Sequence, residues 1–577
     1  MSWLMPLHFP PWVSWHAEIA CFAAALLLSW WGLYREFGAG RQNFIRVPAP
    51  VLMFVALALL AAAQVVTGQM TFAGDALVFG FYMFLCVICI VAGYGFGAKF
   101  REQPSALQGS SHADVLTTFA FVIVFGAFAS AVIAFAQVFD VSENDALIAR
   151  MPAARRPGAN MAQPNHLATL LVMGVASLTL LYERGKLHGV TACLLVATLL
   201  IGIAATESRT GALSLFFLLI WWFAKKRVSG PKLPASAAVA IGMGFAALFL
   251  SWPMFLYSVL GIDGAAQINT SAGTRFMVWS QLAEAVLLKP WAGWGIGQMV
   301  EAHNTVVHRY AYSEAFSYSH SILLDMALGV GLPMTFVILA TVGVWLWRRV
   351  FAVNDLASWY CLAGVLPIAV HSLLEFPFAY AYFLAPAMFL IGNLEASMGI
   401  RPAPKLQAWA VFPPMLVATA LMAWSVIEYI AIEEDFRVVR FEALRIGKTA
   451  DTHKRPDVFL LTQLDALLKG GRIVPKTGMT AEELDLAKRA ALRYPWTATQ
   501  NNPVSSPQAS PNPLKQVSRS RSIPTWYHRT SNPLCCNPWS TIFKTSGKAI
   551  SPPASWAPST CSMSFHVPAA PTWPAAS

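Results

Sequence analysis

The sequence predicts an all-α, polytopic membrane protein with about 11–12 transmembrane helices, a small helical C-terminal segment and a disordered tail. Three observations carry that prediction. Of the 577 residues 56% are hydrophobic and only 12% charged, which excludes an ordinary soluble globule. Apolar runs of about the length that a bilayer demands of a helix recur along the chain. Lys and Arg gather at every second connection between those runs. Backbone groups in lipid must bond to one another, which leaves a helix bundle or a closed barrel, and runs this continuous mean helices.

The runs fall near 14–35, 49–68, 76–98, 114–138, 166–183, 188–205, 211–224, 235–257, 321–348, 358–375, 379–397 and 407–432. The first follows a start with no basic residue and no small-residue cleavage site, so it reads as a span with its N-terminus outside rather than as a signal peptide. The next turns alternate. Arg35, Arg41 and Arg46, then Lys99 and Arg101, Arg184 and Lys186, Lys225 to Arg227, Arg348 and Arg349, and Arg401 and Lys405 define the cytoplasmic side. The opposite face receives 138–165, 206–211, 258–320, 375–379 and everything after about Glu433. Arg150, Arg155 and Arg156 lie on that outer face against the trend and hint at a use for positive charge there.

Cys21, Cys86, Cys89, Cys193 and Cys361 fall within spans and read as small apolar packing residues, the Cys86–Cys89 pair included. Beyond Glu433 the chain turns polar. Phe436–Leu444 and Thr480–Ala487 read as amphipathic helices, the second with Thr480 as N-cap and Glu483 three residues on. Beyond Asn501 Pro and Ser dominate, acidic residues are absent, and six Lys or Arg supply more than half of the net charge of +11. That charge is scattered rather than patterned, so no nucleic-acid partner is expected. The organisation expected is a membrane domain over 1–433 with a large outer loop 258–320, a soluble helical segment over 434–500, and a disordered tail over 501–577.

Polar and ionisable residues at the ends of spans are functional candidates, because they are costly near lipid. The outer face gathers Gln163 and Asn165 in Ala162-Gln-Pro-Asn-His166, Arg209 in Glu207-Ser-Arg-Thr-Gly211, Arg275, His320 in Ser319-His-Ser321, and His371 and Glu375 in His371-Ser-Leu-Leu-Glu-Phe-Pro377. Each also has a plain structural explanation. An arginine at a helix end anchors at the interface, His320 can cap a helix, His371 and Glu375 at i, i+4 can satisfy each other, and Gln163 and Asn165 flank a turn proline.

Absent motifs narrow the chemistry. A phosphate-binding loop of the Walker type is missing, and Gly293-Trp-Gly-Ile-Gly297 reads as a turn. His303 and His308 make a poor zinc site, and paired outer carboxylates that would hold a divalent cation are missing. If a diphosphate is bound, arginine must neutralise it, through its planar and permanently charged fork of donors.

In this order, Gln163-Pro-Asn165, Glu207-Ser-Arg-Thr210, Arg275 with Trp279 and Lys289-Pro-Trp-Ala-Gly-Trp-Gly295, Ser319-His-Ser321 with Gly329-Val-Gly331, and His371 to Pro377 resemble the bacterial O-linked oligosaccharyltransferases of the PglL type. These protein glycosylation ligases share a superfamily with the WaaL O-antigen ligases and Wzy polymerases, and the resemblance spans roughly residues 5 to 500. It implies a GT-C-like, inner-membrane, multi-pass glycosyltransferase that needs neither metal nor other cofactor. Its donor would be an undecaprenyl-diphosphate glycan and its acceptor Ser or Thr of a pilin-like protein, at a site facing the periplasm. By the same likeness His320 is the catalytic base, Arg209 and Arg275 bind the donor diphosphate, and Gln163, Asn165, His371 and Glu375 orient substrate, with Glu375 the rival base. Attack opposite the leaving group would invert the anomeric centre. An O-antigen ligase acting on lipid A core or a Wzy-type polymerase is the nearer alternative, and a transporter or flippase the more distant one. Phe376 stands where the relatives commonly have Tyr.

Overall fold

The computed structural model describes residues 2–38, 44–102, 115–141, 146–151, 156–229, 232–261, 275–310, 313, 316–399, 404–444, 446–447, 452–473, 476 and 478–494. The expected tail over 501–577 lies outside the described residues. Each apolar run forms a helix. The membrane elements are α1 (Trp15–Gly38), α2 (Val51–Val66), α3 (Ala73–Glu102), α4 (Val115–Val138), α5 (Pro164–Glu183), α6 (Gly189–Ala205) and α7 (Arg209–Ala224). The one-turn α8 (Lys226–Ser229) precedes α9 (Ala235–Leu260), and α12 (Ile322–Ala352), α13 (Leu356–Leu374), α14 (Ala381–Met398) and α15 (Ala408–Leu444) complete the bundle. Among the described residues eight helices are long and apolar enough to cross a bilayer, and α2, α6 and α7 are shorter apolar helices. The protein is an all-α polytopic membrane protein.

Local sequence explains the helix ends. Pro164 occupies the first turn of α5, where its missing N–H costs nothing. Asp355 and Ser358 form a reciprocal capping box on α13. Gly93 and Gly392 let α3 and α14 touch: a Cβ on either would run into a backbone carbonyl of the other helix, of Phe389 and Ile90 respectively. The central core is α5, whose Leu167, Leu170, Leu171 and Leu180 are fully enclosed. Cys86, Cys89 and Cys361 pack as apolar side chains in the buried clusters.

Among the described residues some of the connections on the basic side contact one another in pairs. The chain after α1 pairs with the chain before α15 as two short antiparallel strands, β1 (Phe44–Arg46) and β2 (Lys405–Gln407). The N–H groups of Lys232 and Leu233 donate to Glu183 at 3.0 and 2.8 Å, and Arg349 grips Glu395 at the close of α14. At the other end the Gln69 amide donates to the Ala292 carbonyl at 2.7 Å.

Two expectations change. The segment 258–320 is not a plain loop, for it contains α10 (Arg275–Leu288) and α11 (Met299–Val306), which bury Val278, Leu282, Ala285, Met299 and Val306 together. Residues 262–274 lie outside the described residues. Phe436–Leu444 is not a separate helix either but the end of α15, which runs straight through Glu433. Nothing in that stretch is Gly or Pro, and Ile432, Phe436 and Val438 keep a buried face going. Two further helices, α16 (Thr462–Gly471) and α17 (Ala481–Arg493), follow. Thr480 caps α17 with Glu483 as the sequence indicates. Glu428 of α15 accepts the N–H groups of Phe459, Leu460 and Leu461 at 2.9–3.1 Å, and Arg493 pairs with Asp75 at 2.9 Å.

α12 breaks at Gly331, whose φ of 77° is open to glycine without strain. A Cβ there would strike the Trp291 carbonyl. The groups freed by the break bond instead to the preceding turn: Leu332 N–H donates to Pro290 at 2.7 Å, and Trp294 N–H to the Leu328 carbonyl at 2.6 Å. That turn is wound through Gly293, Gly295 and Gly297, all at positive φ.

Candidate active site

The centre of the site is the carboxylate of Glu375, which ends α13 and is about 1% exposed. One oxygen accepts from the Asn165 amide at 2.5 Å and from the Arg275 guanidinium. The other lies 3.2 Å from His371 Nε2. His371 is enclosed, and its Nδ1 lies 2.8 Å from the Thr169 hydroxyl of α5. Burial pushes the Glu375 carboxyl up, but the His371 hydrogen bond and the charges of His371 and Arg275 outweigh it and hold the group below the ordinary carboxylate range. Glu375 is therefore ionised, with both oxygens already engaged.

The α6–α7 turn supplies the second wall. Thr206 and Ser208 are enclosed, and Glu207 between them adopts φ 49°. The Thr206 hydroxyl donates to Ile203, and Ser208 Oγ caps α7 by accepting from Gly211 N–H at 3.0 Å. This winding starts α7 at Arg209, which is exposed at the rim. The Ser208 hydroxyl also donates to Asn165 Oδ1 at 2.7 Å, so the Asn165 amide is fixed at both ends. Arg156 joins here: its Nε donates to the Thr206 carbonyl at 2.7 Å and its Nη2 to the Glu207 carbonyl at 3.3 Å. The charges of Glu207, Glu375, Arg209 and Arg275 all act on Arg156, while burial lowers its pKa.

His320 forms the third wall, on the connection into α12. Its backbone is left-handed at φ 60° and its neighbours pin it there. Ser319 N–H donates to Asp325 at 3.0 Å, the Ser319 hydroxyl to the Ser321 carbonyl at 2.8 Å, and the Trp279 indole to the Ser319 carbonyl at 2.6 Å. The ring stands edge-on to Phe376 at 4.9 Å and to Phe316 at 5.1 Å, with Nδ1 buried and unpartnered among the described residues. Burial lowers the imidazole to about 4, with smaller contributions from Glu375, Arg275 and His371. That is well under the ordinary value near 6.5, so the ring is neutral at physiological pH. Phe376, the residue after Glu375, also stacks on Tyr318 at 4.8 Å.

The residues singled out in the sequence thus assemble unevenly. Asn165, Arg275, His371 and Glu375 form one bonded cluster, with His320 and Arg209 at its edge. Gln163 N-caps α5 beside them, and its side chain takes no part in those hydrogen bonds. Sequence reading missed Arg156, Thr169 and Ser208 as site members. For Arg156 a signal existed, since it was a basic residue on the wrong side of the membrane. His303 is buried, with Nε2 2.8 Å from Gln281 and 3.0 Å from Ser313. Among the described residues no three His, Cys, Asp or Glu side chains cluster as a metal site would require.

The sequence matches known proteins. Residues 194–339 match a family model described as O-antigen ligase, residues 157–182 one described as protein glycosylation ligase, and residues 359–514 the C-terminal part of a virulence factor membrane-bound polymerase. The chain is 25% identical over 498 residues to the general O-oligosaccharyltransferase of Acinetobacter baylyi, covering 84% of this chain and 83% of that one. It is 26% identical over 360 residues to the ComP-specific O-oligosaccharyltransferase of the same organism, covering 61% of this chain and 62% of that one. A polytopic bundle with these matches is a membrane enzyme of the oligosaccharyltransferase class. Within that class it resembles the bacterial PglL-type O-linked oligosaccharyltransferases and the O-antigen ligases, the likeness its motifs carry.

Proposed function

We propose that this enzyme transfers an oligosaccharide from undecaprenyl diphosphate to Ser or Thr of a pilin-like protein on the periplasmic side of the bacterial inner membrane, with inversion and without a metal. The observation that carries the reading is the meeting of Arg275, Asn165 and His371 on Glu375, with Arg209 and His320 at the same rim. Cleavage of the bond between the anomeric carbon and phosphate builds negative charge on the departing diphosphate. Arg209 and Arg275, at the rim of the site, stabilise that charge through their permanently charged forks of donors. The neutral imidazole of His320 takes the proton from the acceptor hydroxyl as it attacks. Glu375 is not the base, because its proton affinity is low and its oxygens are occupied. Its task is to hold Arg275 and Asn165 in place.

Sugar hydroxyls could be attacked through the same donor chemistry, so the acceptor is decided by experiment. Purified enzyme is given a defined undecaprenyl-diphosphate glycan with either a pilin-like protein or lipid A core. Transfer to the protein, by mass shift on a Ser or Thr peptide, is the expected outcome. Transfer to the core lipid alone overturns the reading.

A further inference from the structure

Arg209 and Arg275 come from opposite sides of the site, and diphosphate binding requires a fixed relation between their forks. One residue touches both supports. Arg156 donates to two successive carbonyls, Thr206 at 2.7 Å and Glu207 at 3.3 Å, immediately before Arg209 starts α7. In that turn Thr206 and Ser208 are enclosed, and Glu207 between them takes a left-handed backbone. Glu207 has no glycine's freedom, so its conformation persists only while its surroundings hold it. The same guanidinium nitrogen lies 3.5 Å from Asn165 Oδ1, and Asn165 in turn donates to the carboxylate that grips Arg275.

We infer that Arg156 is a positioning residue for the transfer reaction: it locks the turn that bears Arg209 to the Asn165–Glu375 pair that bears Arg275, and so sets the spacing of the two diphosphate-binding forks. A lysine cannot do this, because one ammonium cannot span two carbonyls and an amide in fixed geometry. The inference rests on the proposed donor, and its test separates the two.

The full chain in nanodiscs is titrated with farnesyl diphosphate, a short diphosphate probe, and glycan transfer is assayed in parallel. Arg156→Gln is expected to raise the dissociation constant for the probe and the KM for the glycan donor by tenfold or more, while the KM for the acceptor stays within twofold. Arg156→Lys is expected to fall between the two. In Arg156→Ala, added ethylguanidinium is expected to restore part of the binding, which a general loss of folding would not allow. Probe affinity and donor KM within twofold of wild type in Arg156→Gln overturn the inference, as does full recovery by Lys, which would mean that charge alone suffices. Should Arg156→Gln not fold, the Lys variant and the guanidinium rescue decide by the same criteria. Wild-type enzyme that binds the probe without transferring glycan sinks the proposed function and leaves the Arg156 comparison standing on binding alone. Failure of wild type to bind the probe overturns both.

Discussion

Asn165 donates to the same oxygen of Glu375 that Arg275 holds, so an amide from the start of α5 and a guanidinium from the start of α10 share one acceptor at the end of α13. The carboxylate is the hub of the site, and removing it should be felt by all of its partners. Glu375→Gln keeps the shape but loses the charge that orients Arg275 and His371. Glycan transfer should fall by about 100-fold or more. In Glu375→Ala, thermal unfolding should also show about 3 kcal/mol of lost stability, because buried partners are left unpaired. A variant with normal turnover would remove Glu375 from the machinery.

His320 carries a backbone conformation that a glycine adopts freely and an imidazole does not. His320→Gly should therefore separate folding from chemistry. The melting temperature should hold or rise, since about 1 kcal/mol of strain is relieved. Transfer should drop by about 100-fold or more. Differential scanning fluorimetry beside the transfer assay checks both, and an active glycine variant would exclude His320 as base.

Burial sets the pH dependence. A base held at about 4 is already deprotonated across the neutral range, so kcat/KM should stay level from pH 8 down to about 5 and decline as His320 protonates towards 4. In the donor complex the diphosphate favours the protonated ring, so the acid limb of kcat should lie at higher pH than that of kcat/KM. Stability follows the same sign. With the folded pKa below the unfolded value near 6.5, the unfolded chain takes up protons first and stability is lost as pH falls from about 6.5 to about 4. A limb of kcat/KM near 6.5 would contradict the buried imidazole.

Arg493 meets Asp75 through two hydrogen bonds of 2.9 Å, joining α17 to the start of α3. Arg493→Ala leaves the nearly buried Asp75 without that partner, and about 3 kcal/mol of stability should be lost. Limited proteolysis should then cut first near α17. Unchanged protection there would show that the pair is not what holds the segment.

Much of this arrangement was legible in the residues. Apolar run length located the helices, because lipid leaves the backbone no partner but itself. The i, i+4 spacing of His371 and Glu375 foretold their contact. What could not be read is which partner lies across the bundle. Thr169 beneath His371 and Ser208 beside Asn165 are ordinary helix-end hydroxyls until tertiary packing brings them within 2.8 and 2.7 Å. Nor does composition announce that Phe441 still belongs to the helix that began at Ala408, since a rise in polarity looks like a boundary even where the hydrogen-bond ladder continues.

The break at Gly331 has a mechanical result. Because the turn through Pro290 and Trp294 is stitched by its main chain into the gap in α12, that stretch is a rigid rib of the bundle and not a flap that could swing aside. Any movement admitting a bulky carbohydrate must carry rib and helix together or leave both still.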